Sequence, residues 1–400
     1  MHTIRITDLP ASRVKTESFL GGTLSIISHS GLHFTETLLL ENLPRLTSAP
    51  TSLLVAGNRT GAIAMAAAAR FPECSMTCHA FDIHHARAIL RNLTANRFSC
   101  HFSHDPFVSV SDDPHPQTDA PRSQCAVYCT TAIPAGPYDA ALFMATPGTM
   151  TGELIIDQLE DIHENLAEGG TCIIACEAES IPIFKQIKAI FGGISILFDK
   201  NGRFCVTARK QGPLARRRDF SAAFSASVPG GKPYTLISLP GVFSHRRPDA
   251  GGLALAEIAV RELKPAQRVL DMGCGCGLVG LLLAKSQPDT RVTFIDSHAR
   301  ALAATQRNLI ALGITDAELL LSDEGTSKRG FDLFAGNPPY YSDFRIAELF
   351  LRTAHTTLRR GGACLTVAKA VRSLEDLQRE CFGNTQIISR RSYGVIKSIR

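Results

Sequence analysis

Short apolar runs recur along the second half of the chain, and each run ends in a polar residue. Apolar runs bounded by turn signals are typical of buried strands, and their alternation with helical patterns indicates a parallel sheet. Ligands of such sheets bind at the carboxyl ends of the strands. Because four successive strand ends carry an acid or an amide, we predict a ligand site at this edge. The four residues are Asp271, Asp296, Asp323 and Asn337.

A glycine-rich loop follows the first of these strands, and the apolar segment 278–283 after the loop opens a helix. Glycine lets a backbone turn tightly and approach a ligand closely. A carboxylate can accept both hydroxyl hydrogens of a ribose diol, which suits Asp296, and Asp323 could accept from an adenine amino group. The loop therefore predicts a nucleoside-containing cofactor, with a dinucleotide-dependent dehydrogenase as the competing interpretation. The glycines are Gly273, Gly275 and Gly277.

The tetrapeptide Asn337-Pro338-Pro339-Tyr340 follows another apolar run. A ring-conjugated amine or an amide nitrogen is a poor nucleophile because its lone pair is delocalised. The Asn337 side-chain oxygen and a backbone carbonyl can each accept one N–H, which stabilises the developing charge and positions the nitrogen. The prolines stiffen the turn, and Tyr340 offers a face on which a base can stack. A dehydrogenase does not explain this tetrapeptide, so the pattern favours methyl transfer to planar nitrogen.

The second half resembles the class I S-adenosylmethionine-dependent methyltransferases, and within them the ribosomal RNA guanine-N2 methyltransferases. Residues 239–244, with Asp249 after them, match the lead-in segment of that family. The resemblance implies that S-adenosylmethionine is the cofactor, with the glycine loop, its acids and Asn337 around it and Phe243 near its methionine end. The family usually has a Phe and then a His shortly after the two prolines, whereas this chain has Tyr341. This departure leaves the target nucleotide open and makes Tyr341 a candidate substrate contact.

An internal repeat accounts for a length of 400 residues, which exceeds the usual size of a single core. We therefore predict an α/β fold made by tandem duplication of a Rossmann-like, doubly wound methyltransferase domain. The predicted domains are 1–207, a basic Gly/Ser/Pro-rich linker at 208–236 and a catalytic domain at 237–400. The parallel segments are 53–61 with 270–277, 81–93 with 295–309, 138–143 with 331–334, and 166–170 with 358–362.

The first copy lacks the residues of the predicted chemistry. Val55 replaces the acid before the glycine loop, Arg59 replaces the middle glycine and would occupy cofactor space, and residues 145–148 replace the tetrapeptide. We therefore predict that residues 1–207 are a degenerate copy without cofactor. The alternative interpretation is that this half retains a ligand site at Asp82.

Charge is divided unevenly between the halves. Residues 1–207 hold 14 Lys and Arg against 20 Asp and Glu, whereas residues 208–400 hold 28 against 17. A basic catalytic half suits a polyanion such as RNA. The arginines of the linker are either part of a solvated connection or contacts to the RNA backbone. The candidate RNA contacts are Arg216, Arg217, Arg218, Arg246 and Arg247.

The 12 cysteines show no metal-binding spacing, so we expect no metal site. Without a signal peptide they are best interpreted as reduced thiols of a cytoplasmic protein. No apolar segment approaches the length of a membrane span. We expect ribosomal RNA or a ribosomal subunit as the partner, and the oligomeric state is left open, with a monomer favoured.

The sequence thus predicts transfer of a methyl group from S-adenosylmethionine to the exocyclic N2 of a guanine in ribosomal RNA. Two alternatives stay open. The tetrapeptide would equally suit adenine N6 or a glutamine amide of a protein. A non-catalytic RNA-binding or ribosome-assembly factor could also keep the fold.

Overall fold

The structure is a computed structural model, and it describes residues 15–19, 24–28, 32–46, 48–110, 125–146, 150–177, 183–287, 289–339 and 344–400. The chain divides into two compact units. The first takes its described residues from Met1–His104 and Pro114–Asp219, and the second from Asp105–Asp113 and Phe220–Arg400.

The described residues form twenty strands and ten α-helices, besides a short 3-10 helix at Leu43–Arg45. The strands are β1 (Lys15–Phe19), β2 (Leu24–Ser28), β3 (Ser52–Ala56), β4 (Ser75–Ala80), β5 (Cys100–His104), β6 (Ser109–Val110), β7 (Cys125–Cys129), β8 (Tyr138–Ala145), β9 (Leu166–Glu177), β10 (Ser195–Lys200), β11 (Arg203–Arg209), β12 (Ala222–Ala226), β13 (Tyr234–Ser238), β14 (Arg268–Met272), β15 (Arg291–Asp296), β16 (Ala317–Leu321), β17 (Phe331–Gly336), β18 (Leu358–Ala368), β19 (Gln386–Arg390) and β20 (Tyr393–Ile399). The helices are α1 (Phe34–Asn42), α2 (Ala62–Arg70), α3 (Ile83–Ala95), α4 (Gly152–Asn165), α5 (Ile183–Phe191), α6 (Ala250–Glu262), α7 (Leu278–Ser286), α8 (Ala299–Leu312), α9 (Arg345–Thr357) and α10 (Val371–Phe382).

Each unit is built on an eight-stranded sheet. The strand order is β10-β11-β9-β8-β3-β4-β7-β5 in the first unit and β19-β20-β18-β17-β14-β15-β16-β6 in the second. In each sheet one strand, β11 or β20, pairs antiparallel with both of its neighbours, and the other pairs are parallel. A two-stranded antiparallel hairpin precedes each sheet, β1-β2 in one unit and β12-β13 in the other. The predicted tandem α/β duplication is therefore confirmed.

The central strands of the second unit are almost wholly apolar because both faces of the sheet are covered. Leu270 and Phe334 are fully buried in a core that α9 covers through Phe350 and Leu351. Helix α7 is buried along nearly its whole length, so its Leu-rich sequence shows no polar face. This packing fixes the ends of β14 and β17, where the candidate site begins.

A buried asparagine on the third helix of each unit joins the hairpin to the glycine loop. In the second unit, Asn308 accepts from Ile237 N at 2.7 Å and donates to Ile237 O at 2.8 Å and to Cys276 O at 2.9 Å. In the first unit, Asn92 accepts from Ile27 N at 2.7 Å and donates to the carbonyls of Ile27 and Thr60 at 3.1 and 2.8 Å. The repeat therefore extends to individual side-chain hydrogen bonds.

The segment 208–236 differs from the expected plain linker. Residues 208 and 209 still belong to β11, residues 222–226 pair with β13, and the division between the units falls after Asp219. The second unit also includes β6, which comes from the first half of the sequence and pairs with β16. A contiguous division of the chain misses this strand, because two residues give no periodic pattern.

The strand pairing corrects one equivalence between the two halves, which the sequence comparison had placed one residue too far along the chain. Val55 of β3 lies opposite Leu142, and Asp271 of β14 lies opposite Ala335. Counting forward from these pairs, Asn337 corresponds to the buried Met144 rather than to Ala145. The strand β8 continues through this position, so the first unit has a strand where the second begins its Asn-Pro-Pro turn.

Candidate active site

The glycine loop turns from β14 into α7. Gly273, Gly275 and Gly277 have φ angles of 68°, 58° and 84°, in the left-handed region that favours glycine. A Cβ on Gly273 would lie 2.8 Å from the ring of Phe350, so packing also requires that glycine. At Gly275, a single atom of the described residues, Val242 Cγ1, lies within 4 Å of the Cβ position, at 3.9 Å. The loop is therefore open where a cofactor would approach its backbone.

Asp271 lies beneath this loop. Its side chain is buried, and Oδ2 accepts a hydrogen bond from Gly280 N at 2.8 Å. Burial raises the pKa of Asp271 to about 7, while the Gly280 bond opposes the rise and the charge of Asp296 adds to it. With 2% of its surface exposed, Asp271 can influence a cofactor mainly by holding the start of α7 and the loop above it.

Asp296 closes the loop from the next strand. Gly275 N donates to its Oδ2 at 2.9 Å, and His298 N donates to its Oδ1 at 3.0 Å. Each carboxylate oxygen can accept a further hydrogen bond, which suits a ribose diol. Ser322 N donates to Asp296 O at 3.0 Å, so the half-buried Asp323 follows directly beside it.

Two side chains of α8 brace the loop, and the sequence-based site did not include them. Thr305 Oγ1 donates to Gly275 O at 3.0 Å, and Asn308 donates to Cys276 O. Both are fully buried. The sequence did contain a signal for Asn308, because an asparagine, Asn92, stands at the equivalent position of the first half.

Asn337 leaves the end of β17 with its amide oriented by an acid. Its Nδ2 donates to Asp249 Oδ2 at 2.9 Å, and of the two polar atoms of an asparagine side chain only the nitrogen can donate. The same Oδ2 accepts from Gly252 N at 2.6 Å, because Asp249 is the N-cap of α6. With Nδ2 held in this way, Asn337 presents Oδ1 as an acceptor. Asp249 lies in the sequence segment that matched the lead-in pattern, but its role required the structure.

The remaining residues of the predicted site differ in their exposure to solvent, and two of them lie outside the described part of the chain. Pro338 is buried and Pro339 is half-buried, whereas Tyr340 and Tyr341 lie outside the described residues. Phe243 is 72% exposed and stands beside Ser244, whose φ is 56°. Its neighbour Val242 is the residue that points toward Gly275. An exposed aromatic ring on this segment is available to a ligand.

The five arginines predicted to contact RNA divide into two groups. Arg217 pairs with Asp157 at 3.0 Å and with Glu160 at 3.3 Å, and Arg218 pairs with Glu160. These contacts attach both arginines to α4 of the first unit and offset their charge. Arg216 is exposed, as are Arg246 and Arg247 just before α6 of the second unit.

The twelve cysteines are all free thiols. Burial raises the pKa of Cys274 and Cys276 in the glycine loop, that of Cys276 to about 12, so both stay protonated near neutral pH. Across the residues that the structure describes, no group of three or more His, Cys, Asp or Glu could hold a metal ion. The described helices likewise include none that is long and apolar enough to cross a membrane.

The corresponding edge of the first unit keeps the loop but changes its surface. Gly57 and Gly61 have φ angles of 71° and 88°, close to those of Gly273 and Gly277. Arg59 stands at the position of Gly275 and has no positive φ. Asp82 keeps the bond to the helix start, accepting from His84 N at 2.8 Å. The backbone cradle of the second unit is therefore not reproduced at its central residue.

Comparison with known proteins identifies the family. The model of the methyltransferase small domain matches residues 233–397. The ribosomal RNA small subunit methyltransferase C of Shewanella pealeana is 30% identical over 254 residues, which are 59% of this chain and 71% of that protein. The chain belongs to the ribosomal RNA small subunit methyltransferase C family. The predicted resemblance is thereby confirmed.

Other matches are narrower or more distant. The Pseudomonas fluorescens member is 36% identical over 156 residues, 38% of this chain, and the match spans about half of that protein, 46%. The solved structure of T. thermophilus 16S rRNA N2 G1207 methyltransferase, in complex with AdoMet and guanosine, superposes with a TM-score of 0.75 and 22% identity. That superposition covers 97% of this chain and 98% of the other. It shows that the two-unit fold is shared along nearly the whole length.

Proposed function

We propose that the second unit transfers a methyl group from S-adenosylmethionine to the exocyclic N2 of a guanine in ribosomal RNA. The relatives named above act on small-subunit ribosomal RNA by their names, and the T. thermophilus structure contains both AdoMet and guanosine. The observation that carries the proposal is the orientation of Asn337 by Asp249 at the end of β17.

The residues of the second unit fit S-adenosylmethionine. The open backbone at Gly275 lies beside Asp296, whose oxygens can accept from a ribose, and Asp323 follows at the next strand end. Asp271 holds the loop from below. When bound, this cofactor supplies an electrophilic methyl group carried on sulfur.

Asn337 would act on the amine that receives the methyl group. Its Oδ1, left as an acceptor by the bond to Asp249, would accept one N–H of the guanine amine, and the Pro338 carbonyl would accept the other. These bonds draw the nitrogen lone pair out of conjugation and stabilise the positive charge that develops on nitrogen. The amine proton then leaves to water, so no side chain has to serve as a general base.

The substrate side is formed by exposed groups. Phe243 offers an apolar ring, and Arg246 and Arg247 offer positive charge next to it. Tyr340 and Tyr341 follow Pro339 in the sequence and stay predicted contacts of the base. The target base must be unpaired or flipped to reach Asn337.

The test is methyl transfer from labelled S-adenosylmethionine to protein-free small-subunit rRNA and to assembled small subunits. Digestion to nucleosides distinguishes N2-methylguanosine from N6-methyladenosine, and a glutamine-containing protein acceptor covers the amide alternative. Asn337→Ala should lower turnover by about 100-fold, because it removes a hydrogen-bond acceptor that stabilises the transition state. Calorimetry should show unchanged S-adenosylmethionine affinity in that variant. Full activity of Asn337→Ala would refute the mechanism, and label in adenine alone would refute the substrate.

A further inference from the structure

The turn between β19 and β20 has an unusual composition. Arg391 and Ser392 have φ angles of 49° and 62°, and Arg390 pairs with Tyr393 across the turn. Two-residue turns of this kind favour Asn-Gly, because both central residues need positive φ. The second unit therefore keeps two larger side chains where the backbone conformation disfavours them.

The equivalent turn in the first unit follows the preference. Asn201 and Gly202, between β10 and β11, have φ angles of 54° and 71°. Lys200 and Arg203 pair across it, so Lys200 stands at the position of Arg390. The two units thus share one turn geometry with different residues, and Arg391 stands where the first unit has the turn-favouring Asn201.

A buried glutamate holds both arginines of the second turn. Glu257 on α6 has a fully buried side chain, and its two oxygens accept from the Nε of Arg390 and the Nε of Arg391. One carboxylate cannot neutralise two guanidinium groups, so the cluster keeps a net positive charge. The arginine side chains are 37% and 43% exposed. Within the described residues Glu257 is their common hydrogen-bond acceptor, and each guanidinium bonds it through Nε.

This cluster lies at the same sheet edge as Asn337. Tyr393 Cε1 and Asp249 Oδ2 each lie 3.1 Å from the position that a Cβ on Gly251 would take. Asp249 Oδ2 is the atom that accepts from Asn337 Nδ2. The tip of the hairpin therefore stands next to the acid that orients the candidate catalytic amide.

We propose that Arg390 and Arg391 together bind a backbone phosphate of the RNA strand, beside the nucleotide whose base enters the Asn337 pocket. This inference rests on the proposed function. A guanidinium offers parallel N–H donors that match phosphate oxygens. Because Glu257 already fixes both side chains, little further rotamer entropy is lost on binding. The net charge of the pair supplies the attraction to the phosphate.

The test uses single substitutions that leave Glu257 with one partner. Arg391→Asn creates the Asn-type turn found in the first unit, and Arg390→Gln leaves Arg391 in place, so neither strands a buried carboxylate. Lys200→Gln is the matched control, because it removes one positive charge at the equivalent turn position of the first unit. Filter binding of protein-free small-subunit rRNA at several salt concentrations, on the full chain, gives affinity and salt dependence.

Each of the two arginine variants should bind RNA about tenfold more weakly. The slope of log affinity against log salt should fall by about 0.7 if one single-strand phosphate contact is lost. S-adenosylmethionine affinity and thermal stability should stay at the unsubstituted level, and Lys200→Gln should match the unsubstituted chain in RNA binding.

Two failures are distinguishable. If the unsubstituted chain methylates rRNA while Arg391→Asn and Arg390→Gln keep its affinity and salt slope, the phosphate site is wrong and the proposed function stands. If the unsubstituted chain neither binds nor methylates rRNA, both proposals fall. A loss equal to that of Lys200→Gln would also overturn the site, because it would reflect overall charge alone.

Discussion

The two units have the same strand order and differ at the carboxyl edges of their sheets. The contacts that define the fold are kept in both. Asn92 and Asn308 make equivalent hydrogen bonds, and Asp139 and Asp332 each accept from the backbone at the start of a central strand, at 2.8 Å. Three of the site residues are kept in one unit alone: Val55 stands for Asp271, Arg59 for Gly275 and Met144 for Asn337. The fold therefore depends on one set of residues and the chemistry on another.

The glycine loop shows this separation at a single position. The first unit accommodates Arg59 by a backbone without positive φ at that residue, while the flanking glycines keep their conformation. A loop without the central glycine can thus still connect a strand to a buried helix. Exchanging residues between the units should then change binding without unfolding either one.

The largest expected effect comes from Gly275→Arg, which gives the second unit the residue of the first. Arginine is disfavoured at a φ of 58°, and its side chain would fill the space before the loop. S-adenosylmethionine affinity should fall by about 100-fold or more, about 2.7 kcal/mol. Calorimetry measures the loss, and circular dichroism should show the fold retained.

Arg59→Gly is the mirror control. It restores a glycine in the first unit but not the missing acid at Val55 or the missing amide at Met144. We expect no second cofactor site in calorimetry of this variant. A second site would show that Arg59 alone blocks the first unit and that the copy is less degenerate than proposed.

Removing the shared asparagine should cost both units about equally. Asn308→Ala leaves Ile237 N, Ile237 O and Cys276 O without their partner, and Asn92→Ala does the same around Ile27 and Thr60. Unpaired buried groups should lower the unfolding free energy of the affected unit by about 3 kcal/mol in each case. Denaturant unfolding measures this. Cofactor affinity should fall in Asn308→Ala alone, and an equal fall in Asn92→Ala would contradict independent roles for the two loops.

Much of this comparison was predictable from the sequence. Apolar runs ending at Asp271, Asp296 and Asn337 predicted the strands, because a buried parallel strand must be apolar on both faces. The internal repeat predicted that the chain has two domains of the same fold. The degenerate first loop was visible as Arg59, since a bulky residue in a glycine loop changes what the backbone can approach.

Other features depend on contacts between distant residues and left no local signal. Asp249 and Asn337 are 88 residues apart, and Glu257 meets Arg390 across 133. The pairing of β6 with β16 joins segments from different halves of the sequence. The assignment of Ala145 to the Asn337 position failed by one residue because register is set by strand pairing, which sequence spacing alone does not determine.

A smaller effect should follow from Asp249→Asn, which tests how Asn337 is oriented. Asparagine is as good an N-cap as aspartate, so α6 should keep its start. The oxygen that caps α6 is also the one that accepts from Asn337 Nδ2, so this bond is kept but its acceptor is neutral and holds the amide of Asn337 more weakly than a carboxylate. Turnover should fall roughly tenfold, about 1.4 kcal/mol, with S-adenosylmethionine affinity unchanged. Unchanged turnover would show that Asn337 needs no orienting acid.

Asp271→Asn should change the pH dependence of stability rather than turnover. The folded-state pKa of Asp271 is raised from 3.8 to about 7, chiefly by burial, so the folded state binds its proton more tightly than the unfolded state. This carboxyl therefore lowers stability progressively as pH rises from about 4 to about 7, by about 1.4 kcal/mol per pH unit at most. Asparagine does not titrate, and its oxygen can still accept from Gly280 N. Denaturant unfolding at pH 5 and pH 7 should show a flatter pH dependence in the variant, since the titrating groups that do not interact with Asp271 cancel in the difference. Equal pH dependence in the two proteins would mean that Asp271 ionises as readily in the folded as in the unfolded state. The buried acid would then cost the second unit no stability relative to Val55, its equivalent in the first unit.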